Sequence, residues 1–482
     1  MYLGLDLGTS GLKGLLVSNQ QELIGSADAS YAVENSVTGW SEQNPNDWIK
    51  AFESVMNSLF GRFRSQMSAL RGIGISGQMH GATLLDKDGT VIRPCILWND
   101  TRSFAECDII MQNPKLLDIS GNLAMPGFTA PKLLWMKNNE PEIFSQVAKV
   151  LLPKDYLRFI LTDEFYSDLS DASGTYWLDI KNRNWSQELL DATNMSISQM
   201  PDLCEGTDQT GIINIKFQNE FGFNNNCKVY GGAGDNAAAA VGLGLHKEGS
   251  ASLSLGTSGV IFGSTSKFLK NYKDAIHSFC HCLPNTWHLM SVMLSCTSNV
   301  NWFIENFDSS IEEIDLELEK IQTNKIDIKN FPYYLPYLTG ERTPINDPHV
   351  RASFHNMGIE STRASLIYGL IEGISFALKD NYIALEKTGI KLESIYVIGG
   401  GSKNKYWINI LANILNRDLL VTQASDTMAA FGAARLAFLG FNNFKPEDVL
   451  SPPLVEKTIS TDSNLTAVLQ ERFKLWKKFY VI

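Results

Sequence analysis

A short turn motif, Gly-Thr-Ser-Gly, occurs twice in the chain, and its two copies lie about half the sequence apart. The first copy occupies residues 8–11 and the second occupies residues 256–259. An apolar segment with the alternation of a β-strand precedes each copy, and a second apolar segment follows it, which predicts a strand–turn–strand unit. A unit that recurs at this distance predicts two related domains that face each other across a cleft.

Both turns combine small residues, accessible backbone N–H groups and two hydroxyls, the features with which a loop binds phosphate. We therefore predict a nucleotide site formed by Gly8, Thr9, Ser10, Gly11 and Lys13 and by Gly256, Thr257 and Ser258. Only the first unit has a carboxylate before the turn, Asp6, where the second has Ser254. A carboxylate there can hold a hydrated Mg²⁺ that in turn binds phosphate oxygens. The alternative is an ordinary hairpin with a solvated aspartate.

The composition limits the class of protein. A chain of 482 residues is too long for a single core. Its net charge of −11 argues against nucleic acid as a partner. No stretch approaches the ~20 apolar residues of a membrane span, and the chain starts in a predicted strand, so we expect neither a membrane partner nor a signal peptide. The seven cysteines are scattered and suggest a reduced, cytoplasmic setting.

One cluster of potential metal ligands needs separate consideration. It contains His277, Cys280, His281, Cys282 and His288. The segments 277–283 and 287–294 are predicted to pair as a hairpin, so that neighbouring side chains point to opposite faces instead of converging. No second pair has the spacing of a zinc finger, and we expect no metal in this cluster.

A candidate sugar site follows two predicted strands in the first half. Residues 72–76 lead into Gln78, Met79 and His80, and a hairpin strand ends at Trp98, Asn99 and Asp100. Amide and carboxylate groups can bind vicinal hydroxyls, and an indole offers a flat face to sugar C–H groups. We expect the two clusters to meet at neighbouring strand ends. The alternative is a set of turn residues with a structural histidine.

A second carboxylate stands at a predicted helix start. Asp235 and Asn236 follow a strand and a glycine-rich turn, and alanines follow them. The simple interpretation is that Asp235 is an N-cap, which contributes roughly 1 kcal/mol. The functional interpretation is that the glycines let a substrate approach the carboxylate. The glycines near residue 245 predict a domain junction, with domains at 1–245 and 246–482.

A third glycine-rich turn occurs in the second half. An apolar strand ends at residue 398 and runs into Gly400, Gly401 and Asn404, after which a helix is predicted. Such a turn can admit the base or ribose of a nucleotide edge-on. A tight strand-to-helix turn without a ligand is the alternative.

The duplicated unit resembles the actin-like, ribonuclease H-like ATPase superfamily, an α/β fold. Together with a signature at residues 127–139, which contains Thr129, Lys132 and Trp135, the chain resembles the FGGY family of carbohydrate kinases, and within it the xylulokinases. The sugar-site segments at 77–81, 98–100, 125–128 and 278–281 carry the closer resemblance.

The resemblance implies ATP-dependent, in-line phosphorylation of D-xylulose to D-xylulose 5-phosphate. It implies that Asp235 is the catalytic base, that Asp6 and Asp235 organise Mg²⁺, and that Met79 and His80 contact the pentulose largely through the backbone. Asn236 would also contact the sugar. Gly400, Gly401 and Asn404 would lie against the adenosine. The expected partners are the sugar and ATP, and a homodimer is compatible with the sequence.

The sequence departs from the family pattern at two positions, and several alternative functions remain compatible with it. Asn356 stands where the family usually has glycine, and Thr427 where its helix often begins with glutamate. Asparagine tolerates a left-handed backbone, so the local fold can survive. A sister kinase for ribulose, another ketose or a polyol is the nearest alternative, and an actin-like, nucleotide-driven binding protein is more distant. A regulator without catalysis would be expected to lack Asp6 or Asp235.

Overall fold

The structure is a computed structural model, and it describes residues 1–422 and 427–480. Within this part of the chain, no helix combines the length and the apolar character that a membrane crossing requires. The strands are β1 (Tyr2–Leu7), β2 (Gly11–Val17), β3 (Leu23–Ser30), β4 (Glu42–Gln43), β5 (Gly72–Gly77), β6 (Thr83–Leu85), β7 (Cys95–Ile96), β8 (Lys149–Leu151), β9 (Tyr166–Asp168), β10 (Leu178–Asp179), β11 (Asn184–Trp185), β12 (Asp202–Cys204), β13 (Gln209–Ile212), β14 (Lys228–Tyr230), β15 (Ala233–Gly234), β16 (Ser250–Leu255), β17 (Gly259–Thr265), β18 (His277–Cys280), β19 (Trp287–Met293), β20 (Tyr333–Leu335), β21 (Ser353–His355), β22 (Ser394–Ile398), β23 (Leu419–Thr422) and β24 (Val455–Ile459).

The helices are α1 (Pro45–Arg62), α2 (Arg64–Ser68), α3 (Phe104–Met111), α4 (Pro114–Ser120), α5 (Thr129–Asn139), α6 (Pro141–Phe144), α7 (Pro153–Thr162), α8 (Leu169–Ala172), α9 (Gln187–Asp191), α10 (Ile215–Phe221), α11 (Asp235–Gly242), α12 (Thr297–Phe307), α13 (Ile311–Thr323), α14 (Arg363–Glu386), α15 (Lys405–Leu415), α16 (Met428–Asn442), α17 (Pro446–Val449) and α18 (Ser463–Trp476).

Two seven-stranded sheets organise the molecule, one in each half of the sequence. The first has the order β13-β14-β5-β1-β2-β3, with β15 also paired to β5, and the second has the order β18-β19-β17-β16-β22-β23-β24. In the first sheet, β1, β2 and β3 form an antiparallel meander, while β1, β5 and β14 are parallel. In the second, β16, β17 and β19 form the meander, and β16, β22 and β23 are parallel. The predicted duplicated, ribonuclease H-like α/β fold is therefore confirmed.

The two Gly-Thr-Ser-Gly turns occupy equivalent places in these sheets. The first joins β1 to β2 and the second joins β16 to β17. Each turn therefore follows the strand that is paired in parallel on its other side, with β5 or with β22. The predicted strand–turn–strand units are confirmed, whereas the predicted domain boundary at residue 245 stays a prediction.

Helix α16 packs on α11 and on the first sheet, and glycines make both contacts close. A Cβ on Gly432 of α16 would lie 1.8 Å from the carbonyl oxygen of Ala238 in α11. Helix α16 also covers the first sheet, although it comes from the second half of the chain. A Cβ on Gly4 would lie 1.8 Å from the carbonyl oxygen of Ala430, and one on Gly74 would lie 1.9 Å from that of Ala433.

This packing corrects one prediction. The alternation before the first turn predicts a half-buried strand, but β1 is buried from Tyr2 to Leu7 except for a partly exposed Asp6. The glycine face of β1 is not solvated, because the backbone of α16 lies directly on it. The small residues in β1 therefore mark a close approach of a helix.

A second prediction, that the strand before Trp98 neighbours β5, is wrong. Strand β7 pairs with β4 in a two-stranded sheet, and β6 pairs with β8 in another. The polar residues that follow β7 are therefore not brought to the end of the large sheet by strand pairing. The predicted hairpin at 277–294 is confirmed, since β18 and β19 pair in antiparallel register. Asn356 has a φ of 59°, as its left-handed tolerance predicts.

Candidate active site

A cavity of about 390 Å³ lies where the two halves of the chain meet. Residues from both halves line it: Met79, His80, Trp98, Asp235, Asn236, Ala239, Ala240, Leu243, Ser252, Ser254, Ser258, Val260, Phe262, His277, Phe279, Met290, Val292, Arg342 and Ile398. The candidate residues Met79, His80, Trp98, Asp235, Asn236 and Ser258 are thus gathered around one space. Its mixed apolar and polar lining suits a small polyhydroxylated ligand.

Asp6 lies at the carboxyl end of β1. It is in register with Ser76 of β5 and with Lys13 of β2. The Ser76 hydroxyl donates a hydrogen bond of 2.5 Å to Oδ1 of Asp6. Burial raises the pKa of Asp6, while the Ser76 hydrogen bond and the charge of Lys13 lower it. The carboxylate is thus held in place by a neutral donor, and a cation near it would relieve the cost of its burial.

Asp235 lies two residues beyond Ala233, which is in register with Ser76. Asp6 and Asp235 therefore stand at the carboxyl ends of strands on the two sides of β5. Gly234 is the N-cap of α11, and Asp235 is its first residue, so the interpretation of Asp235 as the cap is wrong. Its Oδ1 accepts hydrogen bonds from the backbone N and the Nδ2 of Asn236, at 2.6 and 2.7 Å.

The environment of Asp235 favours a proton acceptor that works near neutral pH. Burial and the nearby charge of Asp6 raise the pKa of Asp235 to about 6, against the effect of the two hydrogen bonds from Asn236. A general base is most effective when its pKa lies near the working pH. A carboxyl group with this pKa, in the lining of the cavity, is compatible with the role of base that the family resemblance implies.

A fully buried ionic cluster lies next to β15, the strand that precedes Asp235. Lys154 Nζ lies 2.6 Å from Asp155 and 2.7 Å from Asp168, and the second oxygen of Asp168 accepts from the Ser170 hydroxyl. That hydroxyl in turn accepts a hydrogen bond from the backbone N of Gly234, at 3.1 Å. The polar segment at 167–175 therefore supports the residue before Asp235. The partner Lys154 comes from α7, which precedes this segment in the chain.

His80 is held by a set of buried donors. It has a φ of 69°, and its carbonyl oxygen accepts from Thr129 Oγ1 at 3.0 Å and from Lys132 Nζ at 2.9 Å. Its ring Nδ1 lies 2.7 Å from the carbonyl oxygen of Gly174, so Nδ1 carries the hydrogen. Burial lowers the pKa of His80 to about 3 and that of Lys132 to about 7. The imidazole is therefore neutral, and its backbone is fixed against the cavity.

Trp98 connects the sugar-site segment to the first turn. It lines the cavity, its side chain remains 44% exposed, and its Nε1 donates to Thr9 Oγ1 at 3.0 Å. Gln78, Asn99 and Asp100 do not line the cavity. Their assignment to the sugar stays a prediction that the arrangement does not favour.

The reasons differ among these three residues. Gln78 is buried, and its Nε2 donates to Gln43 Oε1, while Gln43 Nε2 donates to the carbonyl of Thr9 at 2.6 Å. Gln78 therefore reaches the first turn only through Gln43. Asp100 accepts from the backbone N of Ser41 and from the Arg102 guanidinium, which leaves it little capacity for a ligand. Asn99 is exposed outside the cavity.

Different hydrogen bonds hold the two Gly-Thr-Ser-Gly turns in place. In the first, the backbone N of Gly8 donates to the carbonyl of Gly11, and the hydroxyl of Tyr31 donates to the carbonyl of Gly8 at 2.5 Å. In the second, the carbonyl of Thr257 accepts from the backbone N of Cys296 at 2.8 Å. This contact brings the second turn beside the N-terminus of α12, where backbone N–H groups favour anions.

Gly400, Gly401 and Asn404 line a second cavity of about 340 Å³. Its other lining residues come from α12, α13, α14 and α15 and the segments beside them: Thr297, Val300, Asn301, Ile311, Ile314, Asp315, Ile371, Lys403 and Trp407. Asn404 caps α15 through its Oδ1, and its Nδ2 donates to Asp315. Because α12 borders this cavity and its N-terminus is hydrogen-bonded to the second turn, the two predicted parts of the nucleotide site are neighbours.

The wall of the first cavity that the second half provides was largely missed by sequence reasoning. His277, Phe279 and Arg342 line it. The stretch around Phe279 is indicated only by the family resemblance, and no sequence argument above indicates Arg342. The signal that could have found Arg342 is its position in a Gly-Glu-Arg-Thr-Pro segment, but a loop sequence does not reveal which cavity it borders.

The donor set at Asp6 and Asp235 fits Mg²⁺. Mg²⁺ keeps several waters and is commonly bound through one or two carboxylates together with substrate phosphates. No cluster of three or more candidate metal ligands occurs within residues 1–422 and 427–480, so a cage built entirely from protein ligands is not what this part of the chain offers. The two carboxylates, each with a pKa raised by burial, are suited to share a hydrated cation that phosphate completes.

Comparisons with known proteins agree with this arrangement. Residues 1–242 match the N-terminal domain of the FGGY family of carbohydrate kinases, and residues 251–441 match its C-terminal domain. A xylulose kinase from Escherichia coli is 42% identical over 100% of this chain and 98% of its own length. One from Klebsiella pneumoniae is 43% identical over 94% of this chain and 93% of its own length.

A solved structure is equally similar. The crystal structure of a "xyloylose kinase" from Brucella ovis superimposes with a TM-score of 0.96, at 43% identity, over 99% of this chain and 98% of that one. Both family domains, in the predicted order, and relatives of matching length account for the duplicated fold and for the cavity between its halves. The chain therefore belongs to the FGGY family of carbohydrate kinases.

Proposed function

We propose that this protein transfers the γ-phosphoryl group of ATP to the O5 hydroxyl of D-xylulose and releases D-xylulose 5-phosphate and ADP. The observation that carries the proposal is the meeting of Asp235 with Met79 and His80 around one cavity that Ser258, from the second turn, also borders. The similarity to xylulose kinases over the whole chain supports the same substrate.

Asp235 acts as the base in this proposal. Phosphoryl transfer depends on positioning and on charge neutralisation more than on covalent catalysis by the protein. The Asp235 carboxylate orients the acceptor hydroxyl and takes its proton as the new bond to phosphorus forms. The hydrogen bonds from Asn236 fix one carboxylate oxygen and leave the other for the sugar.

The phosphates of ATP are assigned to the two Gly-Thr-Ser-Gly turns, and the adenosine to the cavity beside Gly400, Gly401 and Asn404. Asp6 and Asp235 would hold Mg²⁺, which supplies charge neutralisation at the phosphates when it is bound. Lys13 is adjacent to Asp6 across the β1–β2 ladder and supplies positive charge from the protein. The neutral Ser76 hydroxyl keeps Asp6 oriented.

The proposed setting is a reduced cytoplasm. All seven cysteines are buried, and none forms a disulfide. Burial raises the pKa of Cys95 to about 11 and that of Cys280 to about 12, so these thiols stay protonated and unreactive. A chain with buried protonated thiols is suited to a compartment that does not demand disulfides.

A panel of acceptors tests the proposal. ADP release is measured in a coupled assay with D-xylulose, D-ribulose, a hexulose, xylitol and glycerol at saturating MgATP. We expect D-xylulose to give the highest kcat/KM. A higher kcat/KM with another acceptor would reassign the enzyme to a sister kinase, and ATP turnover that no sugar or polyol stimulates would favour the nucleotide-driven binding protein.

A further inference from the structure

The far wall of the active-site cavity contains an arginine that the proposed chemistry does not use. Arg342 lines the cavity, and no carboxylate oxygen lies within 4 Å of its guanidinium among the described residues. Within residues 1–422 and 427–480, its side chain makes one hydrogen bond, from Nη1 to Nε2 of His277 at 3.3 Å. A guanidinium has five N–H donors in a planar fork, so most of the donor capacity of Arg342 is not used by the described residues.

The position of Arg342 is fixed by its neighbours in the chain. Glu341 Oε1 accepts from the backbone N of Arg342 at 2.7 Å and from that of Leu294 at 2.8 Å. Thr343 exchanges hydrogen bonds with Val292, through its backbone N at 3.1 Å and its Oγ1 at 3.1 Å. The loop is therefore fastened to the end of β19 on both sides of Arg342, and the side chain is presented from a rigid base.

His277 can only accept the hydrogen bond from Arg342, because a guanidinium cannot accept one. Its Nε2 therefore carries a lone pair, and the imidazole is neutral. Burial, with the charge of Arg342, holds the pKa of His277 well below its usual range. His277 stacks on Phe279 at 5.5 Å between ring centroids and approaches Phe128 at 5.7 Å. Arg342 thus stands at the aromatic end of the cavity.

This end is distinct from the end that carries the reacting groups. Arg342 is hydrogen-bonded to His277 of β18, which belongs to the second sheet. Asp235 begins α11 directly after β15, which belongs to the first sheet. Arg342 and the proposed base therefore border the cavity from opposite halves of the chain. A substrate that presents its acceptor hydroxyl to Asp235 therefore directs its opposite end to Arg342.

The chemistry of a ketopentose gives that opposite end a specific identity. In the cyclic furanose form, O5 is bonded to C2 and has no hydrogen to lose, so it cannot accept a phosphoryl group. The productive substrate is the open chain, in which O5 is a free hydroxyl and C2 is a carbonyl. An open chain placed with O5 at Asp235 brings its C2 carbonyl and C1 hydroxyl to the other end of the cavity.

We propose that Arg342, held by neutral His277, donates hydrogen bonds to the C2 carbonyl and C1 hydroxyl of the open-chain ketose and so selects a ketose over a polyol. The proposal rests on the function proposed above and adds a specificity-determining residue to it. Charged donors form stronger hydrogen bonds than neutral ones, and a carbonyl can use both N–H groups of a fork. A polyol offers no carbonyl, and the buried guanidinium would then remain incompletely paired.

The test compares acceptors in matched variants of the full chain. Wild type, Arg342→Met, Arg342→Lys and the control Arg351→Met are assayed with D-xylulose, 1-deoxy-D-xylulose and xylitol. Arg351 is an exposed arginine whose guanidinium donates to the carbonyls of Pro348 and Val350, so it controls for loss of charge nearby. The melting temperature of each variant and its KM for ATP are measured alongside.

For Arg342→Met we expect kcat/KM with D-xylulose to fall roughly 10- to 100-fold, the usual effect of losing hydrogen bonds from a charged donor. The preference for D-xylulose over xylitol should shrink by a similar factor, because xylitol does not use the lost contact fully. Arg342→Lys should recover part of the preference, and Arg351→Met should leave it at the wild-type value. The KM for ATP should stay unchanged in all variants.

Two results would overturn the inference. One is a folded Arg342→Met protein that keeps the wild-type ratio of D-xylulose to xylitol. The other is an equal loss with all three acceptors and a raised KM for ATP, which would assign Arg342 to the nucleotide phosphates. Failure of the proposed function is distinguishable, because the wild-type enzyme itself would then not prefer D-xylulose.

Discussion

Asp6 and Asp235 stand at the carboxyl ends of β1 and β15 with β5 between them, and Asp6 is in register with Ser76 and, through it, with Ala233. Because β1 and β15 both pair with β5, two carboxylates that lie far apart in the sequence stand at the same end of one sheet. Burial and the charge of Asp6 raise the pKa of Asp235 to about 6. This relationship connects the fold to the proposed chemistry.

Asp235→Asn should abolish most turnover. Asparagine keeps the size of the side chain and can still hydrogen-bond a sugar hydroxyl, but it cannot take a proton. We expect kcat to fall by roughly 100-fold or more and the affinity for the sugar to change far less. Steady-state kinetics together with sugar binding measured by calorimetry checks this. Asp88→Asn, in an exposed turn, serves as the control. A variant with wild-type kcat would remove Asp235 as the base.

The same substitution should stabilise the fold at alkaline pH. The folded-state pKa of Asp235, about 6, lies above its ordinary value of 3.8, so the folded state binds more protons between these pH values. Ionisation of Asp235 therefore costs stability as pH rises through this window, and the full cost is reached well above the folded-state pKa, at pH 8. We expect Asp235→Asn to melt at a higher temperature than the wild type at pH 8 and at the same temperature at pH 4. A lower melting temperature at pH 8 would contradict the assigned environment.

Asp6→Asn should impair the use of magnesium while leaving the fold intact. The amide oxygen can still accept the hydrogen bond from Ser76, but the variant lacks the charge that holds a cation. Charge stabilisation by a metal contributes several kcal/mol, so we expect turnover to fall roughly 100-fold or more and the Mg²⁺ concentration for half-maximal activity to rise. A magnesium titration of activity measures both. Near wild-type turnover in a folded Asp6→Asn protein would exclude the role.

Gly4→Ala should destabilise the protein strongly. Its Cβ would lie 1.8 Å from the carbonyl oxygen of Ala430, and neither backbone can yield without moving α16. Overpacking of a core commonly costs about 1–3 kcal/mol, and a contact with backbone is at the upper end. Gly61→Ala in α1 is the matched control, since nothing lies within 4 Å of its Cβ and alanine favours a helix. Thermal melting should show a large loss for Gly4→Ala alone; equal melting temperatures would refute the packing of α16 on β1.

Several local features of the fold and of the site were predictable from the sequence because they depend on short-range chemistry. Alternating leucines before a Gly-Thr-Ser-Gly turn predict β1 and its hairpin, and the strand–glycine–alanine pattern predicts that Asp235 begins a helix. Asn356 was expected to tolerate a left-handed backbone, and it has a φ of 59°. Each of these outcomes follows from a few neighbouring residues.

The features that sequence did not predict depend on contacts between distant segments. Burial of the glycine face of β1 requires α16, which follows about 420 residues later. The engagement of Asp100 by Ser41 and Arg102 removes it from the cavity, although its residue type suits a sugar. Arg342 faces the cavity because its loop is fastened to β19. Residue type alone therefore does not reveal that Arg342 lines the cavity and that Asp100 does not.

The position of the transferred phosphate tests the central claim most directly. D-Xylulose labelled with ¹³C at C5 is incubated with the protein and MgATP, and the product is examined by ¹³C and ³¹P NMR. The account predicts that the labelled C5 resonance splits through coupling to phosphorus and that one equivalent of ADP appears for each product. An unsplit C5 resonance beside a phosphorylated product, or ATP turnover without any phosphorylated sugar, would contradict it.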